Sequence, residues 1–169
     1  MHPAAADFIR VQSHTINWLG VIVYEVGAFN VNGRARDFVP SGWLSWTGFD
    51  LLAGPEVDVV GDAAETLYDY TPCDVLVSAE VLEHAENWKA LVKAMCDSVA
   101  PGGYVILTCA GPGRWPHSAC QEGPPMAGEY YCNVGADELE AEFKKHGFQT
   151  IVSELVSGDT RYFGKNTVA

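Results

Sequence analysis

Val21-Ile-Val-Tyr-Glu-Val-Gly-Ala-Phe-Asn-Val-Asn-Gly33 is the stretch of sequence on which the fold of this chain depends. Five of its first six residues are apolar or aromatic, which is typical of a strand buried on both faces. Gly27 then opens a loop in which Asn30, Asn32 and Gly33 keep the backbone irregular. An ordinary strand-to-helix turn fits this pattern, but we prefer a ligand-binding loop, because α/β sheets build binding sites at the carboxyl ends of their strands.

Length and composition favour a globular protein with a substantial core. The 169 residues predict one domain over 1–169, and 48% apolar against 19% charged residues excludes a disordered chain. The formal net charge of −12 makes unaided binding to nucleic acid or to an anionic membrane surface unfavourable. A nucleic acid delivered by a partner protein is not excluded by this charge.

Targeting signals and metal motifs are not evident in the sequence. No stretch approaches the roughly 20 apolar residues of a membrane-spanning helix, and the N-terminus lacks the basic-then-apolar layout of a signal peptide. The odd number of cysteines and the lack of a CxxC pair argue against a disulfide framework or a zinc ribbon. Reduced thiols, a cytoplasmic location and no metal centre are therefore predicted. The cysteines are Cys73, Cys96, Cys109, Cys120 and Cys132.

Hydrophobic periodicity predicts alternating strands and helices. A short amphipathic helix is expected at 7–18, within an N-terminal segment spanning 1–19. Strands are predicted at 21–26, 43–50, 57–60, 74–78, 104–108, 148–156 and 161–165, and helices at 63–70, 85–99 and 136–146. This alternation indicates a mainly parallel sheet with helices on both faces. The last two strands are joined by a tight turn at 157–160, so they must be antiparallel to each other.

Four acidic residues follow apolar runs at the ends of the first four predicted strands. Because such ends share one edge of a parallel sheet, we expect Glu25, Asp50, Asp62 and Glu80 to lie along it. A carboxylate after the second strand can accept both hydroxyls of a ribose, and one after the third can accept from an exocyclic amine. The set predicts a pocket for an adenosine-containing ligand. The alternative is a coincidental row of solvated acids.

Five motifs in series carry a family resemblance. In order and spacing over about residues 20–110, the sequence resembles class I S-adenosylmethionine-dependent methyltransferases, in the branch with a VLEVG…NG first loop and a VLEH segment after the fourth strand. The resemblance implies a Rossmann-like, mainly parallel seven-stranded sheet of order 3-2-1-4-5-7-6 with a C-terminal antiparallel hairpin. The motifs are Tyr24-Glu-Val-Gly-Ala28, Gly48-Phe-Asp50, Gly61-Asp-Ala63, Val77-Ser-Ala-Glu-Val-Leu-Glu-His84 and Pro101-Gly-Gly-Tyr-Val-Ile-Leu107.

The resemblance also implies a role for each matching residue in binding S-adenosyl-L-methionine. Asp50 would bind the ribose hydroxyls, Leu51 would pack on the adenine, and Glu80 would lie near the amino group and the sulfonium. Asp62 would accept from the adenine amine, with the Ala63 backbone beside it. The commonest first loop of the family is G-x-G-x-G, from which this chain departs after its first glycine. The methionine end would be held by Glu25, Gly27, Ala28, Phe29 and Asn30.

The implied activity is methyl transfer by in-line displacement to an unidentified acceptor that is small or borne on a carrier. The alternative is a non-catalytic subunit or regulator that binds S-adenosylmethionine. A nicotinamide dehydrogenase would need G-x-G-x-x-G directly after the first strand, and this sequence has none.

The acceptor side is predicted to involve the loop over 111–135, which is rich in glycine, proline and aromatic residues. His84 is the candidate general base, and packing at the start of the next helix is its alternative role. Glu83 is expected to be a solvated acid, and Arg114 either attracts an anionic acceptor or faces water. The candidate substrate contacts, for which simple loop packing is the alternative, are His117, Tyr130, Tyr131 and Asn133.

The chain is short for this family, which leaves the acceptor side open. That side is completed by the 111–135 loop, by a second subunit in a homodimer, or by the carrier of the substrate.

Overall fold

A computed structural model describes residues 2–31 and 33–168. Asn32, one of the residues predicted to keep the first loop irregular, lies outside the described residues. The helices are α1 (Pro3–Ser13), α2 (Ala63–Thr66), α3 (Trp88–Ser98) and α4 (Ala136–Lys145). Short 3-10 turns cover Ala35–Phe38, Leu67–Asp69 and Leu82–His84. The strands are β1 (Ile22–Val26), β2 (Ser45–Asp50), β3 (Val59–Val60), β4 (Cys73–Ala79), β5 (Val99–Ala110), β6 (Phe148–Val156) and β7 (Asp159–Asn166).

These strands form one seven-stranded sheet in the order β3-β2-β1-β4-β5-β7-β6. β1 pairs in parallel with β2 and with β4, whereas β7 pairs antiparallel with both β5 and β6. The predicted Rossmann-like topology is therefore confirmed. Because chain order reverses between β1 and β4, the loops after these two strands diverge and leave a crevice at their carboxyl ends.

Alternate residues of the central strands enter two separate cores. Val23, Val75 and Ile106 share one core with Phe8 and Ile9 of α1. The other face contributes Tyr24, Leu76 and Leu107 to a larger core that includes residues of α3 and α4. Helices thus cover both faces of the sheet, which explains why β1 is apolar at every position except Glu25.

The C-terminal hairpin turns through Ser157 and Gly158, whose φ angles of 54° and 85° are both positive. Positive φ at both central residues matches the twist of two-residue hairpins, so the antiparallel hairpin is confirmed, but its turn is shorter than the predicted 157–160. β7 begins directly afterwards, at Asp159.

Several predicted boundaries are wrong: β2, β3 and α2 are shorter than predicted and β7 is longer, and three further differences have clear physical reasons. α1 runs from Pro3 to Ser13 rather than over 7–18, because proline suits the first turn and the chain folds back so that Trp18 Nε1 donates to the Ser13 carbonyl at 2.8 Å. α3 starts at Trp88 because residues 82–84 form a 3-10 turn. β5 starts at Val99, so the Pro-Gly-Gly segment predicted to be a turn lies inside the strand, where the pairing of β4 with β5 shifts register.

Candidate active site

A cavity of about 870 Å³ opens at the carboxyl ends of β1, β2 and β4, within the size range of small-molecule sites. The start of α3, together with Arg114 and residues 117–123 of the 111–135 loop, also lines it. The crevice expected from the topology is thus a single deep site. The predicted site residues that line it are Glu25, Gly27, Phe29, Asp50, Leu51, Asp62, Ala63, Glu80, His84 and His117.

Gly27 brings the first loop into direct contact with the segment after β4. Its φ is +84°, and its amide donates to the Phe49 carbonyl at 2.9 Å, as does the Ala28 amide at 3.1 Å. A Cβ on Gly27 would lie 2.1 Å from Cγ2 of Val81. Both the backbone angle and the contact require glycine, which is the one residue that the chain keeps from the family's glycine pattern at this turn.

Replacing Gly27 with alanine is expected to destabilise the fold by roughly 2–4 kcal/mol, from a strained positive φ together with overpacking against Val81. Urea unfolding measures this change. The double variant Gly27→Ala/Val81→Ala should recover part of the loss, because it removes the clash and leaves the backbone strain. Equal stability of Gly27→Ala and wild type would contradict the close approach.

Side chains shape the rest of the first loop, where the family more often has glycines. The Phe29 amide donates to Asp50 Oδ2 at 3.0 Å. The Phe29 ring packs so closely on Gly54 that a Cβ added to that glycine would lie 2.4 Å from the ring. Asn30 Oδ1 accepts the Gly33 amide at 2.9 Å. Ala28 is buried. Ala28 and Asn30 lie outside the cavity lining, and they act here by shaping the loop.

Asp50 joins the loops that follow β1 and β2. In addition to the Phe29 amide, its carboxylate accepts the Leu52 amide at 3.0 Å through Oδ1. Two backbone bonds leave a carboxylate with further lone pairs for a ligand. The adjacent Leu51 is 69% exposed at the cavity wall, where it offers an uncovered apolar surface.

Asp62 and Glu25 take different positions around the same cavity. Asp62 caps α2, its Oδ1 accepting the Ala64 amide at 2.8 Å. Glu25 is buried, and its carboxylate accepts Trp46 Nε1 at 2.8 Å and the Ala35 amide at 3.3 Å. Burial raises the pKa of Glu25 above its usual value.

Glu80 follows β4 with a φ of +60°, an uncommon angle for a residue with a side chain. Its Oε2 accepts Arg114 Nη2 at 3.0 Å. Arg114 also forms an ion pair with Asp159, which is 0% exposed, and its Nη1 lies 3.0 Å from His2 Nε2. Arg114 is thus neither a free anion site nor a solvated cation, the two roles predicted for it. Desolvation lowers the pKa of Arg114, but these two acids outweigh it and leave the pKa raised.

Glu83 is the clearest correction to the sequence prediction, because it is 0% exposed rather than solvated. The 3-10 turn directs its side chain under β5, where Oε1 accepts the Ala110 amide at 3.1 Å. The Glu83 carbonyl also accepts the Cys132 amide at 2.8 Å. Burial, together with the nearby Glu80, raises the pKa of Glu83 to about 8.

His84 and His117 complete a group of three titratable side chains around Glu83. Their rings are 5.0 Å apart, and His117 Nε2 lies 3.7 Å from Glu83 Oε1. Burial and the nearby His117 lower the pKa of His84 to about 4, so its imidazole is neutral near pH 7. One ligand atom from each of the three residues lies within 4.8 Å of the other two, so the group could hold a metal ion.

Two atoms of this group lack hydrogen bonds. Among the described residues, neither Glu83 Oε2 nor His84 Nδ1 has a partner, although both are buried. A second group with metal-ligand geometry, His2, Glu80 and Asp159, already surrounds the Arg114 guanidinium, which supplies the positive charge there.

Comparison with known families identifies the chain. Residues 27–154 match the family model for a methyltransferase domain. This chain belongs to the methyltransferase domain family. The matched range begins at Gly27 and includes the strand ends that carry Asp50, Asp62 and Glu80. The predicted resemblance to class I S-adenosylmethionine-dependent methyltransferases is therefore confirmed in both family and fold.

Solved structures share the fold of this methyltransferase domain. The 1,6-didemethyltoxoflavin N1-methyltransferase of Burkholderia thailandensis superposes with a TM-score of 0.71 at 17% identity, covering 98% of this chain and 79% of that one. An amino pentose methyltransferase from Micromonospora echinaspora gives a TM-score of 0.69 at 17% identity, with coverages of 98% and 91%.

A curated relative is similar in sequence. The ubiquinone biosynthesis O-methyltransferase of Idiomarina loihiensis is 29% identical over 123 residues, which cover 64% of this chain and 49% of the relative. This methyltransferase domain thus spans about half the length of the curated relative that it matches. Of the helices in the described part of the chain, none is long and apolar enough to cross a membrane.

Three of the predicted substrate contacts of the methyltransferase domain lie outside the cavity lining. Asn133 Nδ2 donates to the Gly111 carbonyl at 2.8 Å, and the Tyr131 ring lies against the rings of both His84 and His117. Tyr130 is exposed. Their geometry suits holding the loop in place, and their contact with an acceptor stays a prediction.

Sequence reasoning missed His2 and Asp159 of this domain. They are 157 positions apart and come within 3.1 Å of each other only through the fold. Ser118 and Cys120, which also line the cavity, carried no signal beyond their place in the long loop.

Proposed function

We propose that this domain transfers a methyl group from S-adenosyl-L-methionine to a small-molecule acceptor by in-line displacement. One observation carries the proposal: the same cavity is lined by Asp50 and Asp62, at the strand ends suited to adenosine, and by His84 and His117. Support for the cofactor comes from relatives solved with S-adenosylhomocysteine or S-adenosylmethionine bound. Support for a small acceptor comes from the names of those relatives.

The residues present fit this cofactor. Asp50 has lone pairs to spare for ribose hydroxyls, and the exposed Leu51 beside it offers a surface that an adenine ring would cover. Because Gly27 has no Cβ, the first loop can lie directly against Val81 at this edge of the cavity. When bound, S-adenosylmethionine supplies an electrophilic methyl group on a sulfonium that is a good leaving group.

The protein's own part in the reaction is to align the acceptor and to exclude water. Glu80 places a carboxylate after β4, where positive charge on the cofactor is expected. His84 lines the same cavity, and its neutral imidazole has a lone pair that can accept a hydrogen bond from an acceptor hydroxyl or amine. Its lowered pKa makes it a weak base, so it would take the proton only from an acceptor that becomes acidic as the methyl group is transferred.

A divalent cation bound by Glu83, His84 and His117 is a second way to activate the acceptor. The observation that favours it is the pair of buried, unpartnered atoms, Glu83 Oε2 and His84 Nδ1. Unsatisfied buried polar atoms are costly, which favours a bound partner beside this group of ligand atoms. Imidazole nitrogen and carboxylate oxygen suit first-row divalent metals, which lower the pKa of a bound hydroxyl.

Binding of S-adenosylhomocysteine tests the central proposal. Isothermal titration should show one site, and ligand at about 100 times Kd should raise the unfolding free energy by about 2.7 kcal/mol. NADH serves as the control ligand and should leave both measurements unchanged. If S-adenosylhomocysteine neither binds nor stabilises the protein, the proposed function is wrong. Binding without turnover of any pooled hydroxyl or amine acceptor would favour the non-catalytic alternative.

We further propose that the domain acts in the cytoplasm. All five cysteines are free thiols, and three of them are buried, which suits a reducing compartment.

A further inference from the structure

We propose that Arg114 is a positioning residue that couples occupancy of the cofactor site to the placement of the acceptor loop. The inference rests on the proposed function, because it assigns the cofactor's positive charge to Glu80. Arg114 lies at the start of the loop segment that lines the cavity, and its guanidinium forms ion pairs with two acids, Glu80 and Asp159.

The side chain of Arg114 joins parts of the chain that are far apart in sequence. Its Nη2 donates to Glu80 Oε2 at 3.0 Å after β4, and its Nη1 donates to Asp159 at the start of β7. Its aliphatic stem packs beside Gly158, where an added Cβ would be 3.0 Å from Cγ. The guanidinium therefore ties the acceptor loop to the sheet at two points.

The backbone of Arg114 is fixed within the loop as well. Its amide donates to the Gly111 carbonyl at 3.1 Å, and its carbonyl accepts Asn133 Nδ2 at 3.3 Å. Movement of the guanidinium is thus transmitted to the loop on both sides. Three residues further along, His117 reaches Glu83 and His84 at the acceptor end.

Glu80 is the residue shared by the cofactor site and by the anchor of the acceptor loop. Oε2 holds Arg114, whereas Oε1 accepts only a long 3.4 Å bond from the Thr108 hydroxyl and keeps lone pairs for a cation. Its positive φ marks backbone strain of the kind found at functional sites. The α-ammonium group of the cofactor, which S-adenosylhomocysteine retains, would bind Oε1 and fix the carboxylate that also anchors Arg114, so the bound cofactor orders the loop.

Coupling of this kind is reciprocal. If the cofactor orders the loop that receives the acceptor, a bound acceptor must tighten cofactor binding by the same factor.

Hydrogen–deuterium exchange of residues 111–120, with and without S-adenosylhomocysteine, tests the coupling and needs no knowledge of the acceptor. In wild type, the ligand should slow exchange in this segment at least about fivefold, the lower range of typical allosteric coupling. Arg114→Gln should bind the ligand within about threefold of wild type but lose the slowing. Arg114→Lys keeps the positive charge but lacks the planar guanidinium, so it should retain part of the ligand-induced slowing of exchange. Arg10→Gln, a change in an exposed arginine paired with Asp7, is the matched control and should behave as wild type.

The outcomes separate the two proposals. Equal slowing in Arg114→Gln and wild type, or no slowing in a wild-type protein that binds the ligand, would overturn the coupling alone. Failure of wild type to bind S-adenosylhomocysteine would overturn the proposed function and the coupling with it. If Arg114→Gln does not fold, the lysine variant decides the question, because undiminished slowing in it would also refute the coupling.

Discussion

Asp50→Ala is expected to weaken binding of S-adenosylhomocysteine by about 100-fold or more. The carboxylate contributes in two ways, since it would accept the ribose hydroxyls and it accepts the amides of Phe29 and Leu52. Each hydrogen bond to a charged group contributes about 1.5–3 kcal/mol, and 1.4 kcal/mol corresponds to a tenfold change in Kd. Loss of the two ligand bonds alone therefore reaches the expected effect. Isothermal titration measures it directly.

Two further variants make this result specific. Asp50→Asn keeps the shape of the side chain and one acceptor oxygen, so it should weaken binding by an intermediate amount. Asp97→Asn removes a surface carboxylate paired with Lys93 and should leave Kd unchanged. Retained affinity in Asp50→Ala would refute the assignment of the ribose to this residue.

His84→Ala is expected to reduce turnover by about 100-fold or more while leaving S-adenosylhomocysteine binding within about twofold. His84 contacts His117 of the acceptor loop, whereas Asp50 binds the loops after β1 and β2, so loss of the imidazole should affect activation of the acceptor rather than cofactor affinity. Steady-state kinetics with an acceptor found by screening, together with calorimetry, separates the two quantities. Normal turnover in His84→Ala would exclude both roles proposed for this residue.

Chelation distinguishes those two roles. If a divalent cation is bound by Glu83, His84 and His117, EDTA should lower turnover to the level of His84→Ala, and added Mn²⁺ or Zn²⁺ should restore it. Glu83→Gln should show the same loss, since an amide cannot become the carboxylate ligand that a bound cation would require. Glu138→Gln, a change in an acid that belongs to α4, is the control. Activity that withstands EDTA in wild type and vanishes in His84→Ala would assign His84 as a general base acting without a metal.

Local pattern predicted those parts of the fold that local chemistry determines. β1 is apolar except for Glu25 because both of its faces are covered by the two cores. The hairpin turn needs positive φ at Ser157 and Gly158, and both residue types are common in turns. The acids at strand ends could be grouped because parallel strands deliver their carboxyl ends to one edge.

Other features depend on contacts that local pattern does not carry. The sequence around Glu83 is typical of a solvated acid at the start of a helix. The side chain is buried because the 3-10 turn directs it toward the Ala110 amide. Pro101-Gly102-Gly103 has the composition of a turn, yet pairing with β4 holds it in β5 as an irregular strand segment. The network of His2, Arg114 and Asp159 joins both ends of the chain, and no sequence window includes its members.

The first loop has a thermodynamic consequence beyond its shape. Ala28, Phe29 and Asn30 restrict the backbone more than glycines would, and Phe29 and Asn30 are already engaged with Asp50 and Gly33. A glycine-rich loop loses more conformational entropy when it closes on a ligand, because glycine has more conformations to give up. Here that entropy is lost on folding instead, so the loop meets its ligand preorganised and a larger share of the contact energy appears as affinity.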